Sequence, residues 1–460
     1  MSATPLPAAD TAEHAANLYR AVWRWHFYAG LLVLPFMILL AVTGGLYLFR
    51  DELDGLWHRD LKQVEVRATP VEVPSAWLDA ALKAHPGTAL KIITPATPAA
   101  SAEVVIKTAD GARRSVYVDP YDSRVLGDLA DRGTVMWLVR RLHSLAEFGA
   151  IANGIIEIVG GWAILLVGTG FYLWWPRRQT GGVVSVRGAP RQRLFWRDLH
   201  AVTGAFAGVA IGFMALSGMP WSILWGEKVN EFANSSNYGY PAGVYTDVPM
   251  SDEHLAHANG PTAWSLEQAK MPESIPASGT AATALPPPIG LDAAAATVER
   301  LGISPGYTLS LPGKPTGVYS AAVYPDDLSK QRVIHLDQYS GKPLIDMSYA
   351  DYGPVAKAME FGINVHMGQE FGLANQLFML ALCLATILMS VSAGIMWWKR
   401  RPKGSLGIPP APADRSVMRG LIAIMAVVGL IFPLVGASLL VMVLLDLAFA
   451  YRRRSSARVA

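Results

Sequence analysis

Four apolar runs punctuate this chain: Phe27 to Phe49, Ile151 to Trp175, Ala201 to Trp225 and Leu373 to Trp398. Each supplies the roughly 20 mostly apolar residues that a membrane span needs. Their glycines and prolines are no objection, because neighbouring helices support the backbone in lipid. Two long polar connections, about residues 50 to 140 and 226 to 360, separate the first span from the second and the third from the fourth. A last apolar stretch, Met418 to Tyr451, carries Pro433 and Gly436 near its middle, which predicts a hairpin of two short helices rather than one crossing.

Inside the connections the period shortens. Ala76 to Ala84 reads as an amphipathic helix, followed by strand-like runs at Leu90 to Ile93, Val104 to Lys107 and Ser115 to Val118, with Asp110-Gly111 as a hairpin turn. The second connection offers a helix at Leu291 to Leu301 and a strand at Arg332 to Leu336. Both strands run into matched turns, Asp119-Pro120-Tyr121-Asp122-Ser123 and Asp337-Gln338-Tyr339-Ser340-Gly341, whose residue types suit turn angles. An aromatic, Asn-rich segment (Asn234 to Tyr245) and an Ala/Pro-rich linker (Ala277 to Pro288), expected to be poorly ordered, are extra to the second connection.

Composition agrees with a membrane protein: 460 residues, 52% apolar, mean hydropathy +0.28. The net charge of +3 carries little information, because the basic residues are sorted by topology and give no sign of a nucleic-acid partner. Arg177, Arg178, Arg187, Arg191, Arg193 and Arg197 crowd one short loop, and Lys399, Arg400, Arg401 and Lys403 follow the fourth span. The positive-inside rule makes these loops and the N-terminus cytoplasmic. The first span, preceded by some twenty polar residues, reads as a retained anchor rather than a signal peptide.

The resulting division is 1–22 as cytoplasmic N-terminus, 23–50 as the first span and 51–135 as the first outer domain. A second span (136–176), a basic loop (177–197) and a third span (198–226) follow, then the second outer domain with insertions (227–358) and a fourth span (359–398). A cytoplasmic linker (399–416) and the C-terminal hydrophobic segment (417–451) complete it. Cys383 is the only cysteine, so neither an internal disulfide nor Cys-x-x-Cys-His haem attachment is available.

Polar residues repeat along the spans. Trp23-Arg24, His26, Gly30 and Thr43-Gly44 recur as Trp196-Arg197, His200, Gly204 and Ser217-Gly218, with seventeen residues from histidine to Thr/Ser in both. His143, Glu147-Phe148-Gly149 and Trp174-Trp175 recur as His366, Glu370-Phe371-Gly372 and Trp397-Trp398, thirty-one residues from histidine to the first tryptophan. An internal duplication explains those intervals. It selects four of the ten histidines, and leaves His14, His58, His85, His254, His257 and His335 as ordinary surface residues.

By side, His26 and His200 lie near the cytoplasmic face, and His143 and His366 near the outer one. Facing imidazoles at one depth of a helix bundle are what a bis-histidine haem needs, so the expectation is two non-covalent b-type haems. Thirty-one helical residues span about 47 Å, which would lift the outer haem to or above the membrane boundary. A lone histidine near a span end is ordinarily interfacial; four at repeated positions favour ligation. Glu147 and Glu370, one turn away, could accept imidazole N–H groups or complete a non-haem metal site. Arg24, Arg197, Arg140 and Arg141, each within a turn of a histidine, suit haem propionates or serve only topology. Glu157 has no counterpart in the fourth span, where Leu380 stands. No phosphate loop, dinucleotide fingerprint, His-Glu-x-x-His or nucleophile elbow is present.

Helix-strand-strand units ending in an Asp-x-x-Ser/Thr-Gly-like turn, set between spans with Trp-Arg-x-x-His, His-x-x-x-Glu and Trp-Trp-x-Arg-Arg, resemble the PepSY-associated transmembrane family over residues 20 to 402. That family includes bacterial iron-regulated membrane proteins and ferrisiderophore reductases. The chain departs from the pattern at Trp-Arg-Trp-His and at Asp122-Ser123. With the hairpin read from Pro433 and Gly436, the expected fold is an α-helical bundle of four core spans plus a C-terminal hydrophobic hairpin, and the resemblance makes the outer domains two small α+β periplasmic PepSY-like domains. It implies an oxidoreductase that reduces a ferric siderophore in the periplasm, docked on the outer domains and Asn234 to Tyr245. A membrane quinol or a cytoplasmic reductase would be the donor. The alternatives are a haem-free, membrane-anchored regulatory protein and a di-haem cytochrome serving another acceptor.

Overall fold

The computed structural model describes residues 8–177, 181–235, 238–239, 248–256, 262–274, 286–410, 422–423 and 426–445. Most of the Asn234 to Tyr245 segment and of the Ala277 to Pro288 linker falls outside them. The chain divides into a helical unit (Met1–Leu46, Arg141–Glu227, Leu377–Ala460) and a sheet unit (Tyr47–Arg140, Lys228–Gln376).

Among the described residues, four helices are long and apolar enough to cross a membrane: α1 (Ala8–Tyr47, apolar from Ala16), α6 (Ala150–Trp174), α7 (Arg193–Gly218, continued by one tight turn to Trp221) and α11 (Gly372–Arg400). Small residues set their packing, as expected where water supplies no drive for helices to associate. A Cβ on Gly208 of α7 would come within 3.1 Å of the Phe171 ring of α6. Gly161 of α6 faces Val435 of α12 (Pro433–Leu445), and Trp162 Nε1 donates to Ser438 Oγ at 2.9 Å. Trp25, Ala29, Val33, Val159, Trp162, Met219, Phe432, Val435 and Leu439 form this unit's buried core.

Among the described residues of the last apolar stretch, the chain turns sharply beside Pro433. Helix flanks a bend at Phe432, and a Cβ on Gly429 would lie 2.9 Å from Gly436 Cα. Seven residues of straight helix would hold those positions about 10 Å apart.

The second and fourth spans are shorter than the thirty-one-residue intervals predict. His143 ends a separate helix, α5 (Val135–His143), and His366 ends α10 (Pro354–His366). Between α5 and α6 the backbone takes positive φ at Leu145 (φ 54°) and Gly149 (φ 90°); before α11 it does so at Gly368 (φ 76°) and Gly372 (φ 59°). The glycine of each Glu-Phe-Gly motif is therefore a helix breaker with φ > 0, which a continuous helix cannot contain. Asn153 bridges the first break by donating to Ser144 O at 2.6 Å, and Asn375 the second by donating to Val365 O at 3.0 Å. The 47 Å helix is thus corrected to α6, 25 residues or about 37 Å.

In the sheet unit, α4 (Pro74–Ala84) precedes a meander of β1 (Gly87–Ile93), β2 (Ala102–Thr108), β3 (Arg113–Val118) and β4 (Val125–Ala130). The same order recurs as α9 (Leu291–Arg300), β7 (Thr308–Ser310), β8 (Val318–Val323), β9 (Arg332–Asp337) and β10 (Pro343–Ser348). The two small domains expected from the sequence share one antiparallel sheet of eight strands, ordered β10-β9-β8-β7-β1-β2-β3-β4. The seam is β1 against β7, with Ile92 opposite Leu309. Each meander would otherwise leave an exposed edge, and pairing the two edges removes both. A separate short hairpin, β5 (Met250–His254) and β6 (Lys270–Pro272), comes from the inserted stretch.

Strand alternation sends Ile92, Val104, Ile106, Val116, Val118, Leu309, Ala321, Ile334 and Leu336 to one face, where Trp77 and Ala81 of α4 and Leu291, Ala294 and Val298 of α9 cover them. Ser75 ties the two helices, its N–H and hydroxyl both donating to Asp292 at 2.8 and 2.6 Å. Both matched turns form: Tyr121 N–H donates to Asp119 and Tyr339 N–H to Asp337, each at 3.0 Å. Ser123 (φ 54°) adopts the left-handed angle that Gly341 (φ 69°) takes in the other copy.

Candidate functional site

His26 lies in α1 and His200 in α7, and their rings lie edge to face with centroids 6.5 Å apart and planes at 86°. Two imidazoles bound to one metal through bonds of about 2 Å would place their ring centres roughly 6 Å apart. Both rings are half-buried among helices. His26 Nδ1 lies 2.9 Å from Thr169 Oγ1, and His200 Nδ1 lies 3.0 Å from Met389 O and 3.2 Å from Ser392 Oγ.

These contacts decide which nitrogen carries the proton. A carbonyl only accepts, so Nδ1 of His200 donates. Thr169 gives its single hydroxyl proton to Leu165 O at 2.7 Å, so its oxygen accepts from His26 Nδ1–H. A neutral imidazole protonated at Nδ1 keeps its lone pair on Nε2, which is the form that binds a metal. The residues present therefore fit an iron porphyrin held between His26 and His200.

His143 obeys the same rule. Its Nδ1 is 2.8 Å from Thr43 Oγ1, while that hydroxyl donates to Leu39 O at 2.6 Å. Thr43 lies seventeen residues beyond His26 along α1, about 26 Å of helix. His143 therefore sits one turn inside the end of α1, within the apolar span. The continuous helix expected from His143 to Trp174 is corrected by the break at Leu145 and Gly149. His366 closes α10 in the sheet unit, two residues after the buried pair Ile363-Asn364.

The charged candidates have protein partners. Arg141 Nε donates to Glu147 at 2.5 Å, and Glu370 accepts from Asn364 Nδ2 at 2.6 Å. Arg24 bonds the Pro409 carbonyl and covers the Tyr28 ring. Arg197 joins Arg187 in holding the buried Asp198, at 2.6 and 2.7 Å. Arg140 lies over Trp137, 4.8 Å from its ring centre, and its charge opposes the rise in Glu267's pKa, which burial and then Glu360 push to about 7. Glu157 is buried, and one oxygen receives the N–H groups of Leu224 and Trp225 at 2.9 and 3.3 Å. It caps the start of α8 (Trp225–Ser235), whose exposed amides favour an anion. Among the described residues no three of His, Cys, Asp and Glu gather as metal ligands.

Sequence reasoning missed Thr169 and Ser392. The signal was present: they stand twenty-six residues after His143 and His366 respectively. Another omission is a cavity of about 220 Å³ on the open face of the sheet, walled by Lys91, Glu103, Tyr117, Arg132, Trp137 and Tyr324. Burial pulls Lys91 below the usual lysine range and pushes Glu103 above the usual carboxylate range. His335, expected at the surface, is buried instead because β9 alternation turns it inward. His58 accepts from Val135 N–H at 3.3 Å and His85 pairs with Asp128 at 3.1 Å. His257 and the side chain of His14 lie outside the described residues.

The PepSY-associated TM region matches residues 23–400. The chain belongs to that family. The match takes in all four spanning helices and both meanders, the stretch over which the motif intervals repeat. No curated protein matches the chain.

Proposed function

We propose that this family member is a di-haem, b-type electron conduit of the bacterial inner membrane that reduces a ferric siderophore in the periplasm and so loosens the chelate's hold on iron. The observation that carries the reading is the His26–His200 pair, 6.5 Å between ring centres with both Nδ1 atoms engaged behind them. His143, held the same way by Thr43, and His366, at the repeated interval, are assigned to the second haem. The duplicated motifs and the basic loops support this pairing and an N-terminus inside, with the sheet unit in the periplasm as the docking surface.

Haem supplies a one-electron carrier when bound. The chain's residues do the rest. His26 and His200 present lone pairs at Nε2, and Thr169 and the Met389 carbonyl hold the rings in orientation. Each ferric ion takes one electron; a quinol donor would yield two and release two protons. The positions of Arg197 and Arg24 against Asp198 and Pro409 O leave propionate contacts to a rearrangement of those arginines.

The first test is the visible spectrum of purified protein, expected to show a reduced b-type band with two haems per chain. His26→Ala and His200→Ala should each remove the same one, and His143→Ala the other. Intact haem content in both His26→Ala and His200→Ala would overturn the assignment. Reoxidation of the dithionite-reduced protein by ferric siderophores, but not by cupric chelates, would identify the acceptor.

A further inference from the structure

The spanning helices carry more than ligands. We infer that hydroxyl–glycine dipeptides in them are seats for the imidazoles: Thr43-Gly44 positions His143, Thr169-Gly170 positions His26, and Ser392 with the Met389 carbonyl positions His200. This rests on the haem reading above but concerns residues that hold the histidines.

The ordinary account of Thr or Ser in a buried helix is a hydroxyl bonded to a carbonyl of its own preceding turn. Thr43, Thr169 and Ser392 all make that bond, to Leu39, Leu165 and Met389 at 2.6, 2.7 and 2.9 Å. Each then lies within 3.2 Å of an Nδ1 as well. With its proton already committed, the oxygen has only acceptor capacity left. It therefore selects the Nδ1–H tautomer and leaves Nε2 bare.

The glycine beside each threonine completes the seat. A Cβ on Gly44 would stand 3.2 Å from His143 Cε1, and one on Gly170 would stand 3.5 Å from His26 Cε1. Each dipeptide thus bonds Nδ1 and sets the helix against the adjacent ring carbon, tightly at Gly44 and at ordinary contact distance at Gly170, so the ring cannot turn without losing a contact. Ser392 is followed by Ala393, and there the Met389 carbonyl supplies a second acceptor.

Seats and ligands are exchanged between segments. The segment holding His26 supplies Thr43 to His143, and the segment after His143 supplies Thr169 to His26. Both hydroxyls recur at the same interval in the second copy, as Ser217 and Ser392. Ser217 donates its proton to Phe213 O at 2.7 Å, as Thr43 does to Leu39 O.

The test uses the full chain in detergent with Thr43→Val and Thr169→Val, which keep side-chain shape, and Thr43→Ser and Thr169→Ser, which keep the hydroxyl. Haem titration should show about 10-fold weaker binding at one site in each Val variant, the usual scale for losing a ligand's hydrogen-bond partner. The remaining haem of that site should show a raised midpoint potential, since an imidazole whose N–H donates to no acceptor gives less electron density to ferric iron. The Ser variants should match the parent. Nitrogen-15 spectra of histidine-labelled chain without haem should show Nδ1–H tautomers at His26, His143 and His200, with Thr169→Val disturbing only His26 and Thr43→Val only His143. Unchanged affinity and potential in both Val variants, in a parent that binds two haems, would overturn the seats and spare the haem reading. A parent that binds no haem would overturn that reading, and the nitrogen spectra would still judge the seats: Nε2–H tautomers in the parent refute them.

Discussion

On the sheet face away from α4 and α9, Lys91, Glu103, Ser115 and Tyr117 of the first meander wall a polar cavity. At the matching face of the second meander, Val318, Val333, Ile345 and Met347 are sealed beneath Leu255, Leu266, Met271 and Ala356. The two halves share their order of helix and strands, so topology does not explain the difference. Side-chain polarity does. A strand buried on both faces, as β8 is along its whole length, needs a second cover. The inserted stretch around β5 and β6, together with α10, provides one. The first meander alternates charge with hydrophobe on that face and keeps an open chamber.

The largest expected effect tests whether those fillings are interchangeable. Val333 is fully buried, and Val333→Asp should cost about 4 kcal/mol or more, because a carboxylate there would have neither water nor a partner. Glu103→Gln, in the polar half, should stay within about 1 kcal/mol, since it removes a charge that burial already disfavours. Thermal unfolding of the purified protein, followed by the sheet signal, measures both. Equal losses would mean that the two faces do not differ as described.

Acid sharpens the same contrast. His335 is buried on the sealed half, Nδ1 without a partner, and burial holds its pKa down to about 3 from 6.5. Between those values the unfolded chain binds a proton that the folded chain refuses. Its contribution to stability is therefore intact above pH 6.5 and is lost toward pH 3, at about 1.4 kcal/mol per unit. His335→Leu should flatten that part of the unfolding profile. Glu267 works in the opposite sense: with its pKa raised to about 7, its contribution is full below 4.5 and is lost as pH rises through 7.

The smallest effect compares the matched turns. Ser123→Gly should stabilise by about 1 kcal/mol, because a left-handed angle strains serine and its Oγ is buried without a partner. Gly341→Ser should destabilise by a similar amount, the more so because a Cβ there would stand 3.1 Å from Ile289. If both substitutions prove neutral, the turns are not equivalent in energy.

Much of this was legible from local pattern. Apolar run length marked α1, α6, α7 and α11, and Pro433 marked the bend at Phe432. Repeated intervals selected His26 and His200, and residue types at Asp119 and Asp337 marked the two turns. The same motifs misled where a glycine's role depends on backbone angle: Gly149 and Gly372 read as span residues, yet they break the helices that His143 and His366 end.

The amino-acid order by itself determined which segments are apolar, where the chain turns and which histidines recur, because those properties act over a few neighbouring residues. Tertiary structure decided the rest. The seam of β1 with β7 joins strands some two hundred residues apart, and nothing local distinguishes one free edge from another. Likewise the proton on each imidazole is set by a hydroxyl or carbonyl on a different helix, brought within hydrogen-bond reach only when the bundle packs.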